Sequence, residues 1–344
     1  MTARFATSEE INNWNNLVSD SAGADTVFST KEYAEIKQLT RYTPRYVIVD
    51  DLAVLVLEKR AWPFGSLWYL PKGPNVTSVE EFQSVMAGLE QLAKKSNVFF
   101  IRAESELPLA DAPKLEALGY QKASPIIPSQ STITLDLTPV LDDIIATLPQ
   151  KGRYAIRRAE RDGVTVKQVP TTDENCKKMY NLLQGTAEGQ FGIRSYVYYQ
   201  AYWKTFADAH IGQLFFAYVD NKVVAGAFAL YFNHKSTYKD GASIRERTAY
   251  GASHLLQWHV IQWAKERGAT LHDFCGSPPS SEIHNEAHPH YKIGLFKTSF
   301  NKTVTDYIGC YDGVVSKTRY AIWSKIGERV HKKLYFQKTH DYYY

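Results

Sequence analysis

Residues 213–232 read QLFFAYVDNKVVAGAFALYF, and this stretch sets the fold of the second half of the chain. Two apolar runs, Gln213–Val219 and Val223–Phe232, flank Asp220-Asn221-Lys222, whose residue types are typical of a tight turn. The stretch therefore predicts an antiparallel pair of strands. Working outward by periodicity, further elements are predicted as helices at Thr172–Thr186, Tyr196–Ala209 and Ser253–Arg267, and strands at Ser236–Asp240 and Leu271–Phe274.

The first half of the chain repeats this order of elements. Its predicted helices are Ser8–Val18, Thr30–Leu39, Val79–Lys95 and Ala112–Leu118, and its predicted strands are Arg45–Val49, Leu52–Leu57, Ser66–Leu70, Phe99–Ala103 and Ser131–Leu137. A short helix around Lys297 and a strand near Thr303–Gly309 complete the second set. The order of two helices, three strands, helix, strand, helix and strand resembles the GNAT acyltransferase fold. Since no residue-level repeat is visible, the duplication rests on element order alone.

We therefore expect an α/β (α+β) protein with two GNAT-like lobes in tandem. The predicted first lobe spans residues 1–142 and is completed by a C-terminal helix within 311–344, and the second spans 143–310. The tail places Tyr320, Ile322, Trp323, Ile326 and Val330 at helical spacing beside several Lys and Arg residues. This apolar stripe is expected to pack on the first lobe, with contact to an anionic membrane surface as the alternative.

Composition sets broad limits on the class of protein. The 344 residues carry a net charge of +4, which is compatible with anionic partners such as phosphates or RNA without requiring them. The three cysteines are far apart and form no CxxC pair, so a zinc site or a disulfide framework is not expected. The N-terminus has no apolar core typical of a signal peptide. The cysteine usage favours a reducing cytoplasm, and a monomer is expected.

One lysine stands out in the segment Tyr291–Phe300, which reads YKIGLFKTSF. Lys297 lies among aromatic residues just after a loop rich in Pro, Ser and His. Leu295, Phe296 and Phe300 are expected to fix a short helix or turn there. A poorly hydrated cation on such a wall could stabilise a developing oxyanion. The alternative is a surface lysine whose stem covers the aromatic rings.

A second basic feature lies at the predicted lobe boundary. Arg153, Arg157 and Arg161 follow one another at four-residue spacing and so share one face of a helix. Such a row could bind phosphate oxygens of a nucleic acid. The alternative is a solvated face whose arginines pair with Glu160 and Asp162.

Several chemistries find no support in the sequence. The histidines of His284–His290 lack a standard zinc spacing, so no metal is expected. No serine-hydrolase elbow and no P-loop is present. The nearest match to a glycine-rich acetyl-CoA turn is Arg247–Ala252, where Tyr250 stands at the position of the first glycine. The fold thus indicates acyl transfer with a donor other than acyl-CoA, and no cofactor is expected.

Several motifs together resemble the FemABX family of peptidoglycan-bridge aminoacyltransferases. They are Tyr69–Pro74, Lys151–Gly163, Tyr238–Ser243, Gly251–Trp258, Asp273–Gly276 and Gly294–Phe300. The resemblance spans nearly the whole chain and implies two GNAT-like lobes. FemA-like members carry a long helical hairpin in the second lobe. Only Val164–Gly192 is available for such an arm here, so the chain is similar to the compact FemX type.

The resemblance implies transfer of an amino acid from aminoacyl-tRNA to the side-chain amine of the third residue of a peptidoglycan stem peptide. The acceptor would be UDP-MurNAc-pentapeptide or a lipid-linked muropeptide, and the enzyme would lie in the cytoplasm at the inner face of the plasma membrane. Two alternatives stay open. One is a GNAT-type N-acyltransferase that uses acyl-CoA, and the other is a muropeptide binder without catalytic activity.

The resemblance also assigns roles to single residues. Lys37 matches a phosphate-contacting lysine, whereas Arg194 and Tyr198 match residues that bind the diphosphate and sugar region. For Tyr198, ordinary helix packing is the alternative. Lys297 matches a lysine thought to act on the transition state or on the tRNA end.

At three further positions the role of the residue is open or the residue departs from the family pattern. Glu104 could accept a proton or orient the amine, although pairing with Arg102 is the expected role. Asp240 replaces a tyrosine common in relatives, and Tyr238 could take that tyrosine's place. Cys275 stands where relatives tend to have glycine, so the acceptor pocket departs from the family pattern at these positions.

Overall fold

A computed structural model of the chain describes residues 1–21, 26–127, 130–187, 192–244, 246 and 250–344. The contacts divide it into two compact units, Met1–Gln130 with Asp306–Tyr344, and Ser131–Thr305. The sequence placed these boundaries after residues 142 and 310 instead. The first boundary comes earlier because Ile133 and Leu135 are buried in the core of the second unit.

The first unit is built on a seven-stranded sheet with the order β1-β2-β3-β4-β5-β15-β6. Its strands are β1 (Ala3–Phe5), β2 (Thr43–Val49), β3 (Leu52–Arg60), β4 (Ser66–Leu70), β5 (Val98–Ala103), β6 (Gln121–Ala123) and β15 (Cys310–Val314). Its helices are α1 (Ser8–Asn12), α2 (Trp14–Ser19), α3 (Lys31–Gln38), α4 (Val79–Lys95), α5 (Ala112–Ala117), α12 (Lys317–Ile322) and α13 (Glu328–Thr339). Among the described strands of this sheet, β4 and β5 alone pair in parallel, and α4 connects them.

The sequence of α4 accounts for its limits and its orientation. The Ser78 hydroxyl accepts a hydrogen bond from the Glu81 N–H at 3.1 Å, which caps the first turn. Glu80 and Glu81 lie at the N-terminus, whereas Lys94 and Lys95 lie at the C-terminus, so both charges complement the helix dipole. The apolar face packs on the sheet through residues that are nearly or fully buried, namely Phe82, Val85, Met86 and Leu89.

The second unit is built on a six-stranded sheet with the order β8-β13-β12-β11-β10-β9. The strands of this sheet are β8 (Thr134–Asp136), β9 (Thr165–Val169), β10 (Gly212–Val219), β11 (Lys222–Phe232), β12 (Lys235–Ser243) and β13 (Leu271–Asp273). Two short strands lie outside it, β7 (Ser131–Thr132) and, at the boundary of the unit, β14 (Thr305–Asp306). Its helices are α6 (Leu141–Thr147), α7 (Gln150–Arg161), α8 (Asp173–Ala187), α9 (Tyr196–Asp208), α10 (Ala252–Glu266) and α11 (Tyr291–Lys297). In the part of this sheet that the structure describes, β12 and β13 are the parallel pair, and α10 connects them.

Each sheet therefore has one parallel pair of strands joined by a long helix, within an otherwise antiparallel arrangement. The predicted α/β fold with two successive lobes of this kind is confirmed. The quoted stretch 213–232 forms the hairpin of β10 and β11, with Val219 opposite Lys222 at the turn.

The predicted closing strand of each lobe is wrong. The segment Ser131–Leu137 breaks into β7 and β8, and β8 pairs with β13 in the second unit rather than with the first sheet. The strand expected near Thr303–Gly309 is reduced to β14, and β15 follows it to pair with β5 and β6 in the first sheet. Strand periodicity shows which face of a strand is apolar, but it does not show which sheet the strand joins.

The C-terminal helix also differs from the expectation in its orientation. Trp323 is fully buried and contacts the rings of Phe64 and Phe99 at 5.6 and 5.5 Å between centroids. Ile322, Ile326 and Val330 are exposed instead of core-facing. A π-helical segment, Trp323–Gly327, separates α12 from α13 and shifts the inward row of residues. Among the described residues, no helix is long and apolar enough to cross a membrane.

Candidate active site

Two buried lysines flank one tyrosine in the first unit. Lys37, in the last turn of α3, has its Nζ 4.9 Å from the centre of the Tyr42 ring. Lys59, in β3, lies 4.3 Å from the same ring and donates a hydrogen bond to the Thr40 carbonyl at 2.9 Å. The two lysines are 4% and 3% exposed. Aromatic faces stabilise cations that have lost much of their water, so positive charge is concentrated in this cluster.

Glu104 does not form the expected pair with Arg102. Arg102 binds Asp312 through two hydrogen bonds of 2.8 Å and also binds Glu328 at 2.9 Å. Glu104, which directly follows β5, instead accepts a hydrogen bond from the Tyr69 hydroxyl at 2.5 Å. It also accepts hydrogen bonds from the N–H groups of Ile126 and Ile127. The expectation failed because two better-placed carboxylates already neutralise Arg102.

Glu104 and Lys37 belong to one cluster through their tyrosines. The rings of Tyr42 and Tyr69 lie 6.3 Å apart, and Tyr69 is bonded to Glu104. Burial raises the pKa of Glu104, while the hydrogen bonds from Tyr69 and Ile126 oppose this effect. Together with Lys72, the carboxylate also lines a small cavity. The first unit thus places a proton-binding carboxylate near buried cations.

Lys297 is buried in the second unit, as the last residue of α11. Its side chain is 6% exposed, and its Nζ donates hydrogen bonds to the carbonyl oxygens of Cys275 and of Gly276, the latter at 2.5 Å. Burial lowers the pKa of Lys297 to about 8, although Cys275 and Asp273 oppose the shift. An ammonium has three N–H donors, so two are used here and one remains for a ligand. The alternative of an exposed lysine is therefore wrong.

The turn that holds Lys297 is fixed by Asp273 at the end of β13. One carboxylate oxygen of Asp273 accepts hydrogen bonds from the Cys275 N–H at 2.7 Å and from the Thr132 hydroxyl at 2.5 Å. Cys275 and Gly276 both have left-handed backbone, with φ of 55° and 72°. Glycine adopts this conformation without steric cost. Cys275 therefore adopts a backbone conformation that a glycine would adopt at lower cost.

A neutral histidine lies beneath this turn. His272 is fully buried, with its Nδ1 2.6 Å from the Ser236 hydroxyl and its Nε2 2.7 Å from the Gln257 amide. Burial and the charge of Lys297 lower its pKa to about 3. The imidazole is therefore uncharged at neutral pH and supports the turn without adding a competing cation.

Aromatic rings form the wall beside Lys297, as its sequence context predicts. Phe300 is buried and packs on Phe296 and on His254, at 5.5 and 5.7 Å between ring centres. Leu295, in contrast, is 37% exposed and contributes little. The ring centres of Tyr238 and Phe296 lie 6.5 Å apart. One predicted substrate-binding residue therefore lies beside α11, the helix that carries Lys297.

The other predicted substrate-binding residues of the second unit form a separate aromatic cluster. The Arg194 guanidinium lies 4.9 Å from the Tyr198 ring at the start of α9. Tyr198 packs on Tyr202, whose ring lies 5.1 Å from the Lys239 ammonium. Asp240 is buried and accepts hydrogen bonds from the Trp203 indole at 2.9 Å and from Lys239 at 3.0 Å. Asp240 therefore acts as the partner of two neighbouring side chains.

The arginine row lies on α7, but its members differ in environment. Arg153 donates hydrogen bonds to the carbonyl oxygens of Ala146, at 2.8 Å, and of Leu148, so it caps the end of α6. Arg157 and Arg161 are exposed, and Arg161 lies 3.4 Å from the Asp162 carboxylate. Of the three arginines in the predicted phosphate-binding row, Arg157 and Arg161 are thus the two that face solvent.

The helix α7 packs closely on two parts of the second unit. A Cβ atom at Gly152 would collide with the Ser299 carbonyl, and one at Gly251 would collide with the Ala155 carbonyl. Gly251 caps the N-terminus of α10 with φ of +81°. A carbonyl oxygen therefore abuts the helix end where a GNAT protein would bind pyrophosphate. Of the predicted coenzyme turn, residues 247–249 lie outside the described residues.

The histidine loop does not gather metal ligands. Among the described residues, no group of three or more His, Cys, Asp or Glu side chains is placed to hold a metal ion. His288 and His290 contact each other at 5.7 Å between rings.

Sequence reasoning missed four residues that complete these clusters: Lys59, Tyr42, His272 and Gln257. A lysine inside the apolar run Leu52–Arg60 was the available signal for Lys59, since charged residues are almost never buried without partners. The polar pair His272–Asp273 in a short buried strand was a similar signal.

Comparisons with known proteins agree with this geometry. A family model described as an acetyltransferase (GNAT) domain matches residues 150–292. The crystal structure of FemX aligns with a TM-score of 0.80 at 18% identity, covering 95% of this chain and 100% of FemX. The L-PGS structure from Bacillus licheniformis aligns with a TM-score of 0.54 at 13% identity, covering 94% of this chain and 98% of that chain.

Two relatives carry the same enzyme name. A lipid II:glycine glycyltransferase of Staphylococcus saprophyticus is 22% identical over 384 positions, covering 88% of this chain and 91% of the relative. One from Staphylococcus aureus (strain MRSA252) is 20% identical over 402 positions, covering 92% and 94%. Because 402 positions exceed the 344 residues of this chain, that relative carries inserted residues that the chain lacks.

The fold and the relatives define an aminoacyltransferase built on tandem GNAT lobes. Over most of its length the chain is similar to lipid II:glycine glycyltransferases and to FemX, and these similarities support the resemblance to the FemABX family.

Proposed function

We propose that the protein transfers an amino acid from aminoacyl-tRNA to the side-chain amine of the third residue of a peptidoglycan stem peptide. The buried Lys297, held at two backbone carbonyls with one donor to spare, is the observation that carries this proposal. The names of the relatives favour a lipid-linked acceptor and glycine as the first donor to test. UDP-MurNAc-pentapeptide is the second acceptor to test.

The chemistry needs an aligned amine and a stabilised oxyanion. The neutral amine attacks the carbonyl carbon of the tRNA ester, a C–N bond forms, and the bond from that carbon to the ribose oxygen breaks. The remaining N–H of Lys297 would donate to the tetrahedral oxyanion or to the leaving ribose oxygen. A preorganised donor of this kind is worth about 10²–10³ in turnover.

The amine must lose a proton before or during attack, because a free lysine amine has a pKa near about 10.4. Glu104 is our candidate for the acceptor of that proton. Its raised pKa makes its carboxylate more basic than an exposed glutamate, and its hydrogen bonds fix its orientation. The nitrogen loses its second proton as the amide forms, and the leaving ribose oxygen takes one up. The transfer from an ammonium therefore releases one proton overall, which Glu104 would pass to solvent.

Binding of the acceptor is assigned to cationic and aromatic groups. Lys37, on Tyr42, would contact the diphosphate, and Arg194 with Tyr198 would contact the diphosphate and sugar region. Tyr238, beside Phe296, would line the acceptor pocket. Arg157 and Arg161 would contact tRNA phosphates, with Arg153 supporting their helix.

The donor is tested by direct competition. Purified protein is incubated with a pool of charged tRNAs and with both acceptors, and the products are weighed by mass spectrometry. We expect a mass increase of one aminoacyl group that requires charged tRNA and is unaffected by acetyl-CoA. Binding of the acceptor without any transfer would instead indicate a non-catalytic muropeptide binder.

Acyl-CoA is the donor that the GNAT fold would otherwise suggest. The Ala155 carbonyl against Gly251 argues against it, because a pyrophosphate needs N–H donors at that helix end. Saturable coenzyme A binding by calorimetry, together with acyl transfer from acetyl-CoA, would overturn the assignment of the donor.

A further inference from the structure

The outer side of the C-terminal helix carries an apolar stripe that faces solvent. Ile322, Ile326, Val330 and Leu334 follow one another four residues apart and are 53%, 58%, 42% and 58% exposed. Helical residues at this spacing are neighbours on one face. A contiguous exposed apolar face of this kind marks an interaction site more often than single exposed residues do.

The stripe is separate from the side of the helix that packs on the first unit. That inner side consists of Trp323, Gly327, His331 and Tyr335, which are buried or half-buried. Trp323 and His331 contact each other at 4.8 Å between rings, and both contact Phe64. The helix is therefore already anchored, and the outer apolar stripe is not needed to attach it.

Basic side chains accompany the stripe. Between Ser316 and His340 the chain has seven Lys and Arg residues and a single acidic residue, Glu328. Glu328 is already bonded to Arg102 and paired with Lys332 at 3.0 Å. Lys325, Arg329 and Lys333 are exposed on the same helix. This surface is consequently both apolar and positively charged.

Two loops beside the helix extend the same surface. Trp62 is 81% exposed, and its carbonyl oxygen lies 3.0 Å from the His331 ring nitrogen. Arg41 lies 5.6 Å from the Tyr335 ring, and the nearby Leu39 is 55% exposed. Tryptophan is enriched where proteins meet the boundary between lipid and water.

We propose that this surface, formed by the outer side of α12–α13 with Trp62 and Leu39, docks on an anionic lipid bilayer. Apolar side chains would enter the acyl boundary while Lys325, Arg329 and Lys333 contact lipid phosphates. A second copy of the chain is a poorer occupant, because a self-associated face would bring two basic helices together. The docking is measured without substrate, so it stands independently of the proposed reaction.

The apolar part is tested by sedimentation of the full chain with vesicles of phosphatidylglycerol and phosphatidylcholine. We expect the wild type to bind, and Ile326→Ser/Leu334→Ser to lower the partition coefficient by about tenfold or more, since each buried CH₂ contributes roughly fourfold. The matched control is Val140→Ser/Val197→Ser, at positions that are 62% and 69% exposed in the second unit. This control should bind like the wild type.

The basic part is tested by charge reversal and by lipid composition. Lys325→Glu/Lys333→Glu should reduce binding about 25-fold or more, at about fivefold for each charge removed from the surface. Lys94→Glu/Lys95→Glu at the end of α4 is the matched control. Vesicles of phosphatidylcholine alone should bind weakly. Equal binding of all variants, or concentration-dependent dimers that the Ile326→Ser/Leu334→Ser variant abolishes in lipid-free solution, would overturn the proposal.

Discussion

Both units bury lysines, but they surround them with different partners. In the first unit, Lys37 and Lys59 lie on the face of Tyr42. In the second, Lys297 is held by the carbonyls of Cys275 and Gly276, and its pKa falls to about 8. A ring face stabilises a cation without directing one of its N–H groups, whereas the two carbonyls at Lys297 fix the direction of its N–H donors. We infer that the first arrangement binds and the second one reacts.

The largest expected effect on turnover follows from removal of the Lys297 ammonium. Lys297→Ala should lower kcat by about 10²–10³, because an oxyanion donor is lost. The KM for the acceptor should change little. Lys292→Ala is the matched control, since Lys292 is exposed on the same helix and should leave kcat unchanged. Steady-state kinetics with charged tRNA provide the readout.

A folding defect can be separated from a catalytic one at this position. Lys297→Met keeps most of the side-chain volume and removes the buried charge. It should melt at or above the wild-type temperature and yet be as inactive as Lys297→Ala. A Met variant with normal turnover would contradict the catalytic role of the ammonium.

Glu104→Gln should have the next largest effect, about 10²-fold on kcat, as expected for loss of a general base. Glutamine keeps one acceptor oxygen for the Ile126 and Ile127 N–H groups, and its NH2 group can donate to the Tyr69 hydroxyl oxygen. Thermal unfolding should therefore change less than for Glu104→Ala. If Gln lowers stability but not kcat, Glu104 only positions the 126–127 segment.

The pH dependence gives a further test of Lys297. Its pKa is lowered to about 8 from 10.5, so the ammonium is present below about pH 8 and is lost above it. Relative to Lys297→Arg, in which the side chain stays charged, wild-type turnover should fall about tenfold per pH unit above that value, because the deprotonation of the acceptor amine affects both proteins equally. Stability should rise between pH 8 and 10.5, because the unfolded chain then binds the proton more tightly. If turnover of the Lys297→Arg variant fell above pH 8 as in the wild type, the titrating group would be a residue other than Lys297.

Lys37→Met should act on binding rather than on the chemical step. We expect the KM for the acceptor to rise about tenfold, as for loss of one hydrogen bond to a charged group, with kcat within about twofold. Lys31→Met, at the start of the same helix, is the matched control. A fall in kcat at saturating acceptor would contradict the division between the two units.

The smallest expected effect concerns the arginine helix. Arg153→Ala should lower the free energy of unfolding by about 1 kcal/mol, because the cap of α6 is lost. Arg157→Ala should leave unfolding unchanged and weaken tRNA binding, because this side chain is exposed. Chemical denaturation and filter binding measure the two effects. Equal loss of stability in both variants would show that Arg157 is structural as well.

Much of the fold could be predicted because its elements have strong local patterns. The helix α4, for example, agrees with its predicted limits Val79–Lys95. The closing strands could not be assigned, since β8 and β15 satisfy the apolar pattern of either sheet. Register and sheet membership depend on tertiary pairing, which short strands do not encode locally.

The candidate site shows a similar limit. The context of Lys297 predicted a partly apolar wall, and the lysine is buried beside Phe296 and Phe300. Its carbonyl partners depend on the left-handed turn at Cys275 and on Asp273, which no local pattern indicates. The partner of Glu104 was mispredicted because Asp312 and Glu328 reach Arg102 from residues far along the chain.

The most direct test of the division between binding and reaction is a single-turnover measurement at saturating acceptor, with charged tRNA as the limiting donor. We expect Lys37→Met to reach the wild-type rate under these conditions and Lys297→Met to remain slower by about 10² or more. A wild-type rate for Lys297→Met, or a similar loss of rate in both variants, would contradict the claim that Lys37 acts in binding and Lys297 in the reaction.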